Sequence, residues 1–255
     1  MKRLIFAALA VMMVFSSCAA PPEIKEPSEN AAQTEKREEP EKLPLDGTVI
    51  VIDAGHGKNS YNKEERIAPD SDETKSAFAS GTSGKNQSEE ELNLSVALLL
   101  AEALTDEGAA VYMTRTEHES DMTNIDRAEF ANEFGADLSV KIHADGSEDS
   151  KVHGVSVLVP GGEYIKDEKL LSESRKAGEL VLDEFVKATG AYNRGISVRN
   201  DLTGFNWTKV PVILVEMGFM TNPDEDAAME NEKYQRLMAK GIVRGIERYF
   251  ENGRE

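Results

Sequence analysis

VPVILVE, residues 210–216, is a nearly all-apolar run that stops on a carboxylate. Its apolar residues are consecutive rather than alternating, which describes a strand covered on both faces. Two other stretches share the design. Residues 48–53, TVIVID, lead into His56, which is held between Gly55 and Gly57. Residues 138–143, LSVKIH, end on His143. Segments with helical periodicity separate these runs, so the pattern is that of an α/β fold: one domain with a mostly parallel, twisted sheet flanked by helices on both faces.

The surrounding elements follow from local signals. Residues 109–115 and 154–160 also read as strands. A helix is expected over 88–106, because Ser88 and Glu91 have capping-box spacing and Gly108 follows its end. Residues 123–134 read as a helix stopped by Gly135, and residues 170–189 as a long amphipathic helix stopped by Gly190. A final helix is expected over 233–251. The stretch between His56 and Glu89 is long, polar and without periodicity. Loops above about 12–15 residues inside a compact domain are usually functional or disordered.

The chain has 255 residues, of which 40% are hydrophobic, enough for a sizeable core. Its formal charge is −18 and it has no basic cluster, so no nucleic-acid partner is expected. Anionic lipid would gain nothing from long-range attraction either. Residues 1–17 have the form of a secretory signal: Lys2 and Arg3, then the apolar Leu4 to Phe15, then Ser16 and Ser17. The single cysteine, Cys18, excludes an intrachain disulfide. FSSC, residues 15–18, resembles a bacterial lipoprotein processing site, which implies that Cys18 carries lipid and becomes the mature N-terminus. Residues 18–46 are rich in Pro, Glu and Lys and are expected to form a disordered tether. The folded domain is then 47–255.

Three strands therefore end on His56, His143 and Glu216, and in open α/β sheets sites form beyond the carboxyl ends of the strands. A lone histidine is more often a satisfied polar group than a ligand. Two of the four histidines standing at apolar strand ends favour function. His118 and His153 lie in polar surroundings and read as surface residues. A carboxylate after so apolar a run is costly to bury unless it is paired or close to a metal. A catalytic zinc needs a third protein ligand if it is to keep one open position. Acidic residues are abundant, so the residues alone leave that ligand open. Glu89 stands in the first turn of its helix, where the helix dipole favours acidic residues anyway. No Gly-x-Ser-x-Gly elbow supports a serine hydrolase.

VIDAGHG, EEELNL, TR…RAEFAN, DLSVKIHAD and VPVILVEMGFMTN occur in this order between residues 50 and 222. In that order they resemble the zinc-dependent N-acetylmuramoyl-L-alanine amidases of the bacterial cell wall, over roughly residues 48–250. The resemblance implies zinc held by His56, Glu89 and His143, with Glu90 the alternative if the register shifts by one. It implies Glu216 as the catalytic residue, and a structural role for Arg127 and Asn132. It implies cleavage of the amide between N-acetylmuramic acid and L-alanine in peptidoglycan, outside the cytoplasm, on the outer face of the membrane or in the periplasm. A protein activator is left open. Lys141 stands where a small serine is usual, and Asp145 where asparagine is usual. Residues 57–88 and TGFNW, 203–207, exceed the minimal pattern and are expected to line or cover the substrate groove. A zinc peptide hydrolase cutting within the stem peptide would use the same ligands. A non-catalytic wall-binding lipoprotein is disfavoured by the presence of all four residues.

Overall fold

A computed structural model describes residues 42–58 and 62–252. The expected signal, Cys18 and residues 18–41 of the expected tether lie outside them. The elements in chain order are β1 (Val49–Ala54), β2 (Glu64–Arg66), β3 (Thr74–Ser76), α1 (Glu89–Asp106), β4 (Ala110–Met113), α2 (Asn124–Glu133), β5 (Leu138–Asp145), β6 (Val155–Pro160), α3 (Glu168–Thr189), β7 (Asn193–Arg199), α4 (Thr203–Asn206), β8 (Val212–Phe219), α5 (Pro223–Met229) and α6 (Glu232–Glu251).

Six strands form one sheet in the order β4-β1-β5-β8-β6-β7, and β2 pairs with β3 as a separate hairpin. β4, β1, β5 and β8 are parallel neighbours, as the apolar runs require. β6 lies antiparallel to β8 and parallel to β7, so one edge of the sheet runs in reverse. The chain passes from β1 outward to β4 and returns across β1 to β5. That reversal opens a crevice at the carboxyl ends of β1 and β5, the position at which α/β sheets hold ligands.

The two sheet faces are covered differently. Ile50, Ile52, Leu138, Val140, Ile142, Ile213 and Val215 point into the main core with α1, α3 and α6. Residues of opposite parity, including Asp53, Lys141, His143, Leu214 and Glu216, line a cleft on the other face, bordered by the β2–β3 hairpin and α4. β1 and β8 are apolar at nearly every position because both faces are covered. They carry polar residues only on the cleft side.

Most helix ends obey the local signals. Ser88 and Glu91 form both bonds of a capping box, as do Thr123 and Asp126. Gly190 ends α3 in the left-handed region, with φ 74°. The fold begins slightly earlier than residue 47. Leu45 is fully buried in the main core, and its N–H donates to the Glu107 carbonyl at 2.9 Å.

β7, α4, α5 and the hairpin had no clear signature. NRGISVR in β7 suits a sheet edge, where charge blocks further pairing. The hairpin is held by distant partners. The Glu65 carboxylate accepts from Asn124 Nδ2 at 2.7 Å and from the Ile125 N–H at 3.2 Å. Trp207 Nε1 donates to the Arg66 carbonyl at 3.0 Å. Among the described residues no helix is long and apolar enough to cross a membrane.

Candidate functional site

The end of β1 supplies the first histidine through an unusual backbone. His56 has φ 59°, in the left-handed region that non-glycine residues rarely adopt. The surrounding carbonyls are tied down from several directions. Arg115 Nε donates to the Ala54 carbonyl at 2.8 Å and its Nη2 to the Gly55 carbonyl at 2.9 Å. Arg127 Nη1 donates to the Ala54 carbonyl at 3.0 Å, and its Nη2 donates to the His56 carbonyl. These bonds hold a strained conformation in place.

His56 Nδ1 lies 2.8 Å from the Ala79 carbonyl, so its proton is donated there and Nε2 faces the cleft. Nε2 then lies 3.0 Å from Glu89 Oε1. His143 Nδ1 lies 3.1 Å from the same oxygen. The other side of the His143 ring rests on Gly55, where a Cβ would come within 2.3 Å of Cε1. Gly55 therefore admits His143, while Gly81 leaves room for Glu89 Oε2 and His56.

Glu89 is 3% exposed and well supplied with donors. The Thr82 N–H reaches Oε2 at 2.9 Å, and the Ala144 N–H and Asn93 Nδ2 each reach Oε1 at 3.2 Å. Burial alone would raise its pKa. Hydrogen bonds and charge from His143 and His56 outweigh burial and hold it well below the usual carboxylate range. Burial also disfavours the charged form of His56, but Glu89 and the Ala79 carbonyl raise its pKa. In His143 burial wins and the pKa falls.

The ligand atoms of His56, Glu89 and His143 lie within 4.8 Å of one another. With Nδ1 of His56 committed to Ala79, its Nε2 meets a carboxylate oxygen at 3.0 Å, a contact made either by a proton on Nε2 or by a cation held between the two atoms. Two imidazoles and one carboxylate with an open side are a donor set suited to a divalent metal, so the residues present fit one. Of the two adjacent glutamates, Glu89 is the one that faces His56 and His143. Its neighbour Glu90 turns away, with Oε2 3.1 Å from His118 Nδ1 and 3.8 Å from Arg115 Nη1. Glu90, Glu91 and His118 form a second acidic group, but Glu91 is occupied with the helix cap. His153 is exposed and bonds to the Lys151 carbonyl at 3.0 Å.

Glu216 stands opposite His143 in the β5–β8 register. The residue is partly exposed, yet its Oε2 is enclosed and has no hydrogen-bond partner among the described residues. Burial raises its pKa well above the ordinary value. The Glu89 and Asp145 carboxylates push the same way, and Arg199 opposes them.

Asp53, Lys141 and Arg127 form a buried network beneath these groups. Lys141 Nζ lies 2.6 Å from Asp53 Oδ2, Arg127 Nη1 lies 2.5 Å from Asp53 Oδ1, and Thr114 Oγ1 donates to Oδ1 at 2.7 Å. Burial opposes ionisation of Asp53, but the two cations hold its pKa well below the usual range. The lysine at the usual serine position is thus compensated by Asp53. Asn132 bonds to the Trp207 carbonyl at 3.0 Å and accepts from the Lys209 N–H at 2.7 Å, fastening the segment after α4. Arg115 and Asn93 escaped the reading of the sequence. A buried arginine at a strand end was the available clue.

The groove is a cleft of about 730 Å³. Residues 75–82 form one wall, and Thr203, Gly204 and Phe205 of α4 help form another. Within the segment between His56 and Glu89, residues 75–82 therefore line the cleft. The segment is pinned at its far end by the Lys85 N–H to Asp226 at 2.7 Å and by Asn86 Nδ2 to Glu230 at 2.8 Å.

A sequence profile described as N-acetylmuramoyl-L-alanine amidase matches residues 50–248. The uncharacterized protein YqiI of Bacillus subtilis (strain 168) is 26% identical over 208 residues, covering 82% of this chain and 87% of YqiI. The probable cell wall amidase LytH of Staphylococcus aureus is 28% identical over 210 residues, and the match spans 82% of this chain but only 61% of LytH. Among solved structures, the N-acetylmuramyl-L-alanine amidase Ami1 from Mycobacterium smegmatis aligns with a TM-score of 0.75 and 25% identity, over 82% of this chain and 99% of Ami1.

Proposed function

The chain belongs to the N-acetylmuramoyl-L-alanine amidase family, and from that premise we propose that it is a zinc hydrolase cutting the lactyl amide between N-acetylmuramic acid and L-alanine in peptidoglycan. The observation that carries the reading is the pairing, in one cleft, of the His56–Glu89–His143 cluster with the unpartnered Oε2 of Glu216. In this reading His56 Nε2, His143 Nδ1 and Glu89 hold the ion. A bound zinc would polarise the scissile carbonyl and acidify a water.

Glu216 Oε2 accepts the proton of the attacking water. As the amide C–N bond breaks, it delivers that proton to the departing L-alanine nitrogen. Its raised pKa suits both duties, because a carboxylate held in a poorly solvated place is a stronger base. A cation at the cluster would offset the Glu89 charge and keep Glu216 ionised near neutrality. The Ala79 carbonyl orients His56, while Asn93 and the Thr82 and Ala144 N–H groups orient Glu89.

The signal and lipidated Cys18 belong to the same proposal, with the enzyme held at a membrane surface outside the cytoplasm. β1 enters the sheet at Val49 and delivers His56 beyond its far end, about 20 Å away at 3.3 Å per residue.

The test is incubation of the purified protein with peptidoglycan, with and without a chelator, followed by mass spectrometry. Peptide-free glycans and peptides with a new L-alanine amino terminus, both lost on chelation, are expected. Cuts within the stem peptide would overturn the bond assignment. Binding to the wall with neither cleavage nor zinc would replace the enzyme reading with that of a wall-binding protein.

A further inference from the structure

The chain carries a formal charge of −18, yet one corner of the cleft gathers cations. Lys75 stands on β3 and Arg199 ends β7, and both line the cleft that contains His56, His143 and Glu216. The two meet at Asp201. Lys75 Nζ donates to the Asp201 main-chain carbonyl at 2.7 Å. Arg199 donates from Nε and Nη2 to the Asp201 carboxylate at 2.7 and 2.6 Å.

Two cations thus meet at Asp201, one at its main chain and one at its carboxylate, and the Glu216 and Asp145 charges also act on Arg199. Arg199 Nη1 donates to no described residue, and the Lys75 ammonium has protons beyond the one it uses. Asp201 holds the guanidinium by one edge, which fixes its plane and leaves donors directed elsewhere. The corner shares the cleft with the reacting groups, since Lys75 and Arg199 line it together with His143 and Glu216.

We propose that Lys75 and Arg199 form a subsite for the α-carboxylate of the residue that follows L-alanine in the stem peptide. The proposal deepens the amidase reading and rests on it. That carboxylate lies within about 7 Å of the scissile nitrogen, the reach of two residues. A muramoyl peptide seated beside His143 and Glu216 carries it along the same cleft. A guanidinium and an ammonium recognise a carboxylate by charge-assisted hydrogen bonds. A carboxamide at the same place offers them one neutral acceptor and an unmatched donor. The subsite therefore distinguishes D-glutamate from D-isoglutamine in the second position. Lys75 belongs to the hairpin, so the extra segment supplies half of this selectivity.

The experiment uses the full chain, kept metal-free so that no turnover occurs. Calorimetry measures binding of two N-acetylmuramoyl tripeptides that differ only in D-glutamate or D-isoglutamine as the second residue. The wild type is expected to bind the glutamate form at least about ten-fold more tightly, one or two charge-assisted contacts' worth. Lys75→Gln and Arg199→Gln should each bring the two ligands within about two-fold of one another, while Lys75→Arg should keep the preference. In the zinc-loaded enzyme the glutamine variants should raise KM for the glutamate form and leave kcat nearly unchanged. Equal wild-type affinities, or no binding, would overturn the subsite. So would variants that weaken both ligands alike, since Lys75 and Arg199 would then only fasten the hairpin to β7. Failure of the amidase reading shows itself separately, as absence of peptide release with zinc.

Discussion

Glu89 collects hydrogen bonds from Thr82, Asn93 and Ala144, whereas Glu216, in the same cleft, has an enclosed oxygen that collects none. The residue types are identical and the surroundings are opposite. Histidines outweigh burial around Glu89 and lower its pKa. Burial and neighbouring carboxylates act together on Glu216 and raise it. A carboxylate that stays ionised and oriented is suited to hold a cation. One whose charge is costly is suited to take and release a proton. The contrast shows how one short side chain is assigned two duties by what faces it.

The contrast breaks most sharply under substitution of the two glutamates. Glu216→Gln should lower turnover by about 10²–10⁴-fold with metal content intact, the usual share of a general base. Glu89→Gln should instead release the metal, read by elemental analysis after dialysis, and lose activity as a consequence. A Glu216→Gln enzyme within ten-fold of wild type would end the distinction.

Asp53→Asn tests whether the floor beneath both glutamates is held by charge. It strands Lys141 and Arg127, each nearly excluded from solvent, and should cost about 3–5 kcal/mol in denaturant unfolding. A loss well under that range would mean that the two cations find other partners. Gly55→Ala is a smaller perturbation on the Glu89 side. A Cβ there meets His143, so a loss of about 1–3 kcal/mol is expected, together with weaker metal binding.

The smallest effect sharpens the comparison through pH. A carboxyl group has an ordinary pKa of about 4.3. For Glu216 the folded value is higher, so its contribution to stability is complete below the ordinary value and is lost as pH rises through the folded one. For Glu89 the folded value is lower, so its contribution is present above the ordinary value and is lost as pH falls through the folded one. Thermal melts of the metal-free protein should therefore show opposite changes. Glu216→Gln should gain on wild type as pH rises above about 4.3, whereas Glu89→Gln should lose on wild type as pH rises towards about 4.3 and keep a constant deficit above it. Parallel curves for the two variants would contradict the assignment.

Much of this arrangement could be read along the chain, for reasons that are local. Consecutive apolar residues in 49–52 and 212–215 mark strands covered on both faces. Ser88 with Glu91, and Gly190, mark helix ends through bonds to their near neighbours. His56, His143 and Glu216 could be singled out because polar residues after such runs need a reason. The choice of Glu89 over Glu90 rested on motif register. Its geometric basis is that only one of two adjacent helix residues faces His56 and His143. The hairpin escaped notice because EER and TKS carry no alternation and depend on Asn124, Ile125 and Trp207, far away in the chain. Lys141 could be noticed as unusual, but its partner Asp53 lies 88 residues away.

The sequence by itself determined the class of fold, the strand ends at which His56, His143 and Glu216 stand and the kinds of side chain available there. Those properties depend on periodicity, caps and residue type, which act over a few residues. Only the tertiary structure decided that Arg115 and Arg127 hold the backbone around His56, that Gly55 makes room for His143, that Glu216 is left without a partner, and that Lys75 meets Arg199 at Asp201. Desolvation and the convergence of charges depend on what packs around an atom in three dimensions, and segments far apart in the chain provide those surroundings.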